Sequence, residues 1–218
     1  MPDNVGADNN AVNGNISATL PGVTGPRYHH GNLRSALLER AGRTVDERGV
    51  QALSLRELAR EAGVSHAAPR RHFPDRQALL DALAEDGFRR LHDDLERAVA
   101  GAGTAFGPRL HALAHAYIAF ATRHPALLEL MFAGKQRDGA DAVREAADRT
   151  FSVALSAIAE GQAAGELAPG DPGQVGFGAF AMLQGLATMA INGMIDAAPV
   201  DEVVTCVVDQ LLDGLTPR

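Results

Sequence analysis

The chain has 218 residues, of which 46% are hydrophobic, and a formal net charge of −7. Its single cysteine, Cys206, excludes an intrachain disulfide and predicts a protein of the reducing cytoplasm. The negative charge of the whole chain argues against a nucleic-acid partner. Residues 27–80, however, carry ten arginines and six acidic residues, so this segment has a net positive charge that could bind phosphate groups.

The first predicted elements are a tail and two short helices. Residues 1–26 are rich in Asn, Gly, Asp and Pro without apolar periodicity, which predicts a disordered arm. A helix is predicted over residues 31–47, where apolar residues recur at a spacing of three to four and Gly49 follows. The next helix begins at Ser54, where SLRE forms a capping box with Glu57, and it ends at Gly63.

The segment SHAAPRRHF, residues 65–73, places a proline inside a short helix. Pro69 cannot donate a backbone hydrogen bond, and its ring crowds the carbonyl four residues earlier. If Ser65 is the N-cap, that carbonyl belongs to the cap, and the disturbance stays within the first turn. The sequence therefore predicts a short helix with small side chains at its start and arginines behind them.

The rest of the chain is predicted as a helical bundle. Asp75 caps a long helix that runs to Val99. Five further helices are predicted at residues 108–123, 125–132, 141–162, 172–191 and 200–215. Glycines and Gln184 interrupt the apolar run within 172–191, so we interpret this helix as buried in the bundle and not as a membrane span. The predicted fold class is all-α, with about nine helices: a three-helix unit and then a larger bundle.

The tetrapeptide AGVS, residues 62–65, joins the second helix to the short third one in a helix-turn-helix layout. Gly63 suits the left-handed backbone of the sharp turn. In this motif the second helix of the pair enters the major groove of DNA with its first residues nearest the base edges. Small side chains there permit close approach, and the neighbouring serine, histidine and arginines can hydrogen-bond phosphates or bases.

The stretch TVDERGVQALSLRELAREAGVSHAAPRRHFPDRQALLDAL resembles the DNA-binding domain of the TetR family of bacterial transcriptional regulators. The match covers about residues 27–90, and YHHGNLR at 28–34 resembles the start of one subgroup. The resemblance implies a helix-turn-helix domain over 27–74 and a ligand-binding and dimerisation domain over 75–218, connected by the helix over 75–99. It implies DNA contacts from Arg27, His29, Arg34, Ser54, Ser65, His66, Ala67, Arg70, Arg71, His72 and Arg76.

Two positions depart from the pattern of that family. Arg70 stands where the family commonly has a tyrosine that touches the DNA backbone in relatives. Phe180 and Gln184 precede Gly185 where the subgroup tends to carry a tryptophan and a histidine. The subgroup and the ligand are therefore left open by the sequence.

A bundle of this kind often encloses an apolar pocket with a few polar groups. His111 and His115 stand one helical turn apart, as two metal ligands could, but no third ligand stands at a telling spacing. We therefore predict that they line a cavity, with packing as hydrogen-bonded imidazoles as the alternative, and that the protein has no metal and no other cofactor. The predicted pocket residues are His111, His115, Tyr117, Phe120, Met131, Phe151, Leu155, Phe177, Phe180 and Gln184.

The last helix is apolar over two adjacent stripes, and the helix before it is rich in glycine and alanine. These features predict a two-fold interface in a homodimer. The alternative is that both helices pack only onto their own bundle. The predicted interface residues are Val203, Val204, Val207, Val208, Leu211 and Leu212.

Together these features predict a homodimeric regulator of transcription. We expect a repressor that a small, largely apolar ligand releases from a pseudo-palindromic operator in double-stranded DNA. One alternative is a DNA-binding protein without an effector or sequence preference. The other is an all-helical enzyme that uses the bundle cavity, but the sequence offers it no nucleophile–base pair, phosphate loop or metal triad, so we expect no enzyme.

Overall fold

The computed structural model describes residues 33–196 and 198–216, and the regular secondary structure of these residues is helical. The predicted arm, residues 1–26, lies outside the described residues. Short 3-10 turns, Val50–Ala52 and Pro69–Arg71, lie on either side of the second helix. The α-helices are α1 Leu33–Arg48, α2 Leu55–Glu61, α3 Arg76–Gly101, α4 Phe106–Arg123, α5 Pro125–Lys135, α6 Asp141–Ala163, α7 Pro172–Ile191 and α8 Val200–Leu215.

The all-α fold class is confirmed, but the described residues form eight α-helices and not nine, because the segment around Pro69 is a 3-10 turn. Pro69 has no N–H to donate to the carbonyl of Ser65, and the N–H of Ala68 donates to it instead at 2.9 Å. The N–H of Arg71 likewise donates to the carbonyl three residues earlier, that of Ala68, at 3.3 Å. The bounds predicted for α7 and α8 match residue for residue.

The two predicted N-caps behave differently. The Asp75 carboxylate accepts a hydrogen bond from the backbone N–H of Ala78 at 2.8 Å, which confirms the predicted cap of α3. Ser54 has the extended backbone of an N-cap, but its side chain makes no capping hydrogen bond. Glu57 pairs with Arg48 at 3.3 Å, so the capping box predicted at SLRE is not formed.

The core is organised around α3, which packs against α4, α5 and α6. Leu83, Phe88 and Leu91 on this helix are completely buried. α1 packs against α3 and α5 through a buried face that includes Leu37 and Val45. Because α3 begins beside the helix-turn-helix and continues through the bundle, one rigid element spans both.

The prediction that α7 is buried is wrong. Only 17% of its most apolar window is buried, and Phe177, Met182 and Met189 are exposed by 74%, 39% and 43%. Its length of 20 residues and mean hydropathy of 1.3 would suit a membrane span. Among the described residues, α7 is the one helix that is long and apolar enough for this. One such helix is weak evidence for a membrane, because an exposed apolar face also marks surfaces that bind other proteins.

Burial corrects two of the six predicted interface residues on α8. Val204 and Val208 are exposed by only 0% and 1%, so a partner chain cannot reach them. Leu212 lies beside Gly107 on α4. Val204 and Val208 therefore pack onto their own bundle. The other four predicted interface residues are only partly buried against the core, so their assignment to a partner surface stays a prediction: Val203, Val207, Leu211 and Leu212.

Candidate DNA interface and ligand pocket

A tight turn after α2 positions the segment that we call the recognition segment, residues 65–72. Gly63 adopts a left-handed backbone with φ of 66°, and the N–H of Val64 donates to the Ala59 carbonyl at 3.0 Å. Pro69 and Phe73 are both buried and attach the segment to the rest of the helix-turn-helix. The proline therefore stiffens the segment from its inner side.

The outer face of the recognition segment brings together six of the predicted DNA-binding residues. All six side chains are exposed to solvent. Within the described part of the chain, no carboxylate forms an ion pair with either arginine of the segment. Unpaired guanidinium groups on an exposed turn can make charge-assisted, bidentate hydrogen bonds to phosphate or guanine. The six residues are Ser65, His66, Ala67, Arg70, Arg71 and His72.

Arg76, at the start of α3, is engaged within the protein. Its Nε donates to the carbonyl of Leu53 at 3.2 Å, and its Nη2 donates to the carbonyl of Val50 at 2.7 Å. These hydrogen bonds connect the beginning of α3 to the chain that enters α2. Arg76 therefore has a structural role in holding the motif together, whatever it contributes to DNA.

The other predicted DNA contacts lie around the motif. The guanidinium carbon of Arg34 lies 5.6 Å from the centre of the Phe73 ring, in a cation–π arrangement at the base of the recognition segment. Ser54 is exposed at the beginning of α2. Arg27 and His29 lie outside the described residues.

A second candidate site is an apolar cavity of about 410 Å³ between α3, α4, α5, α6 and α7. This volume is typical of pockets for small molecules. Half of the predicted pocket residues line it: Tyr117, Phe151, Leu155, Phe177 and Phe180. The sequence analysis missed the remaining lining residues, Leu91, Leu95, Phe106, Leu110, Leu113, Phe132, Lys135, Thr150, Ala154, Ile158, Gly173, Gly176, Ala179 and Leu183.

His111 and His115 do not line this cavity, which corrects their prediction. His111 Nε2 lies 2.9 Å from Asp209 Oδ1. His115 Nε2 lies 3.2 Å from Thr205 Oγ1. Both histidines therefore connect α4 to α8 on the outer side of the bundle. No group of three or more potential metal ligands occurs in the described ranges.

Three other predicted pocket residues are also corrected. Phe120 and Met131 are exposed by 1% and 0% and pack in the core away from the cavity. Gln184 is not in the lining, but its side-chain oxygen accepts a hydrogen bond from the hydroxyl of Tyr117. Burial raises the pKa of Tyr117, so its phenol remains a protonated donor.

A polar crevice of about 680 Å³ lies between α1 and α3. Four arginines and four acids line it, so it offers no net charge with which to select a ligand. At one end, His124 Nδ1 lies 2.8 Å from Asp46 Oδ2 on α1, and its Nε2 lies 3.1 Å from Arg90 Nη2 on α3. Although this crevice is larger than the apolar cavity, we interpret it as the joint between the helix-turn-helix and the bundle.

The two candidate sites coincide with two matches to family models. Residues 37–83 match the model described as bacterial regulatory proteins, tetR family. Residues 110–212 match the model described as the tetracyclin repressor-like C-terminal domain. The first match contains the recognition segment, and the second contains most of the cavity lining.

Comparison with individual proteins gives similar results. A protein of unknown function from Rhodococcus sp. RHA1 is 52% identical, with a TM-score of 0.83, over 88% of this chain and 100% of that chain. A stretch of 71 residues, 33% of this chain, is 35% identical to the HTH-type transcriptional regulator BetI of Rhizobium meliloti, and it spans 35% of that relative's length. A structure from Saccharomonospora viridis, described as a transcriptional regulator in complex with choline, has a TM-score of 0.71 over 86% of this chain and 100% of that chain. Its 20% identity indicates a shared fold alone.

Proposed function

The chain belongs to the TetR family of bacterial regulatory proteins and is a transcriptional regulator with a DNA-binding helix-turn-helix; we propose that it is a homodimeric repressor. In this proposal a small, largely apolar ligand releases it from a pseudo-palindromic operator. The observation that carries the proposal is the exposed outer face of the recognition segment, where Arg70 and Arg71 have no acidic partner among the described residues. Ser65, His66, Ala67 and His72 complete the surface offered to the major groove.

The exposed apolar face of α7 supports the homodimer. Phe177, Met182 and Met189 place large apolar side chains in solvent on one helix. Gly178 and Gly185, which have no neighbouring atom within 4 Å of the position a Cβ would take, leave room for a second backbone to approach. A two-fold axis along α7 would cover this face and set two recognition segments roughly 34 Å apart, one turn of DNA.

The position of α3 supports release by a ligand. Leu91 and Leu95 on α3 line the apolar cavity, and the same helix begins at Arg76, four residues after the end of the recognition segment. A molecule that enters the cavity and displaces α3 would change the spacing of the two recognition segments. The ligand must prefer the displaced state, because equal affinity for both states would shift nothing.

We also propose how the functions are divided along the chain, where the protein acts and that it needs no cofactor. The chain divides functionally into residues 27–74, which bind DNA, and residues 75–218, which bind the ligand and the second subunit. The protein acts in the cytoplasm, where its operator is. It works without a metal or other cofactor and without catalytic activity.

Removal of both arginines from the recognition segment tests the proposal. Operator fragments are first selected from random DNA with the purified full chain. The double variant Arg70→Ala, Arg71→Ala is expected to lose at least ten-fold in operator affinity, and the slope of log affinity against log salt should fall by about one for each lost phosphate contact. Circular dichroism and sedimentation should remain those of the wild type.

The matched control removes two arginines from the bundle. Arg97 and Arg149 form ion pairs with Asp94 and Glu145 on the surface of their own helices. Such pairs contribute little to stability, so the Arg97→Ala, Arg149→Ala variant should bind the operator as the wild type does. Equal losses in both double variants, or equal affinity of the wild type for operator and random DNA, would refute sequence-specific binding by the recognition segment.

A further inference from the structure

The apolar cavity contains one charged side chain among its described lining residues, that of Lys135 in the last turn of α5. Its ammonium nitrogen lies 5.0 Å from the centre of the Phe151 ring and 3.3 Å from Asp148 Oδ1. Asp148 itself is largely exposed, with 74% of its side chain in solvent. Lys135 thus places a positive charge at the edge of the cavity, held by a carboxylate that water screens.

The other polar side chains of the lining are already satisfied. The hydroxyl of Tyr117 donates to Gln184. Thr150 Oγ1 lies 2.9 Å from the carbonyl of Phe88 and 2.8 Å from that of Ala146. An ammonium group has three donors, and Asp148 uses one of them. Lys135 is therefore the group in the lining with donors left for a ligand.

The charge of the lining selects against cationic ligands. No carboxylate belongs to the described lining, so a quaternary ammonium ion would enter an apolar cavity with Lys135 as its nearest charged neighbour. The aromatic rings do not form an open cage for such an ion. The rings of Phe151 and Phe180 pack edge to face at 4.9 Å, and Tyr117 packs on Phe180 at 5.8 Å. We therefore expect this cavity to disfavour a quaternary ammonium ion such as choline.

From this geometry we propose that the ligand is a hydrophobic carboxylic acid, whose carboxylate pairs with Lys135 while its hydrocarbon part lies among Leu155, Phe177 and Phe180. This inference rests on the proposed function, since it names the chemical class of the effector. The charge-assisted hydrogen bond at Lys135 orients the acid, and the burial of its hydrocarbon part supplies most of the affinity.

Three probes of equal chain length test the charge preference: decanoate, decanol and decyltrimethylammonium. Calorimetric titration of the full chain, without DNA, measures binding directly; each probe is kept below its micellar or solubility limit. We expect decanoate to bind at least ten-fold more tightly than decyltrimethylammonium. The Lys135→Met variant should lose roughly ten-fold for decanoate and little for decanol, because only the carboxylate uses the ammonium group.

A second pair of variants separates this role from a structural one. Asp148→Asn removes the carboxylate that competes for Lys135 and should strengthen decanoate binding a few-fold. Glu145→Gln removes another exposed acid from α6, outside the cavity lining, and should change nothing. A merely structural Lys135–Asp148 pair predicts instead that both Lys135→Met and Asp148→Asn weaken the binding of every probe.

The outcomes distinguish the ligand class from the function. No measurable decanoate binding, equal binding of the cationic probe, or an unchanged decanoate-to-decanol ratio in Lys135→Met overturns the inference. Lys135-dependent decanoate binding that leaves operator affinity unchanged supports the ligand class and refutes release by this ligand. Loss of operator affinity on decanoate binding supports both.

Discussion

The orientation of the recognition segment depends on two buried residues, Pro69 and Phe73. Both side chains face the interior of the helix-turn-helix, so Arg70 and Arg71 between them are directed to solvent. Pro69 stands at the first position of the 3-10 turn, where its missing N–H leaves no hydrogen bond of the turn unmade. The same residue that prevents a regular helix therefore anchors the surface that we assign to DNA.

Tyr117 provides a prediction at the scale of one residue. The chain has two tyrosines and no tryptophan, so in a Tyr28→Phe variant the ultraviolet absorbance of phenolate reports on Tyr117 alone. Burial raises the pKa of Tyr117 above the ordinary 10.0, so the unfolded chain ionises first. The resulting stability is fully present below pH 10 and falls as the pH rises above it.

An alkaline titration checks this expectation. Phenolate absorbance of the Tyr28→Phe variant should stay absent near pH 10 and appear together with the loss of helical circular dichroism. Phenolate that forms near pH 10 in a protein that is still helical would contradict the burial of Tyr117 and its hydrogen bond to Gln184. The same variant unfolded in urea serves as the reference for an ordinary phenol.

At the scale of elements, the sequence predicts where helices lie better than it predicts what they face. α7 and α8 match their predicted bounds, which proline or glycine marks. The spacing of apolar residues shows which face of a helix is buried. It does not show what buries that face, because the contacting surface comes from distant parts of the chain. For this reason Val204 was assigned to a partner although it is buried within its own chain, and α7 was assigned to the core although it lies at the surface.

The same limit of sequence patterns explains why only half of the predicted pocket residues line the cavity. The aromatic residues of α6 and α7 were identified because the apolar interior of the bundle gathers them. The histidines of α4 were misplaced because the rotation of that helix brings them against Asp209 and Thr205. Lys135 was missed because a single lysine near a helix end usually interacts with the last carbonyls of its helix.

The two N-caps give a prediction at this scale. Asp75→Ala removes the hydrogen bond to the N–H of Ala78 and should lower the free energy of unfolding by about 1 kcal/mol. Ser54→Ala is the matched control, because its side chain makes no capping bond, and it should cost less than about 0.5 kcal/mol. Urea denaturation at one fixed protein concentration measures both. Equal costs would contradict the difference between the two caps.

At the scale of the whole molecule, the apolar surface that one chain leaves exposed supports the proposed position of a second subunit. The exposed apolar area on α7 is larger than a few scattered apolar side chains would give. It lies beside the cavity, because Phe177 is exposed on α7 and also belongs to the cavity lining. A second subunit on this face would therefore shield the edge of the ligand pocket. In the proposed dimer, Phe177 would belong both to the subunit interface and to the ligand pocket.

A charge on α7 tests the dimer. Met182→Glu should weaken the dimer at least ten-fold, because it places a carboxylate in an apolar interface without a partner. Gln136→Glu, which adds the same charge at an exposed position after α5, should leave the dimer intact. Sedimentation equilibrium measures both. A Met182→Glu dimer as stable as the control would exclude α7 from the interface.

The length of α3 gives small displacements a large effect at the DNA. With 26 residues at a rise of 1.5 Å each, the helix is about 39 Å long. If it pivots near Gly101, a tilt of about 5° moves Leu95 by less than about 1 Å but swings Arg76 by about 3 Å, close to the 3.4 Å step between bases on a strand. If a ligand displaces α3 as proposed, a shift of less than about 1 Å at the cavity becomes a shift of about one base step at each recognition segment.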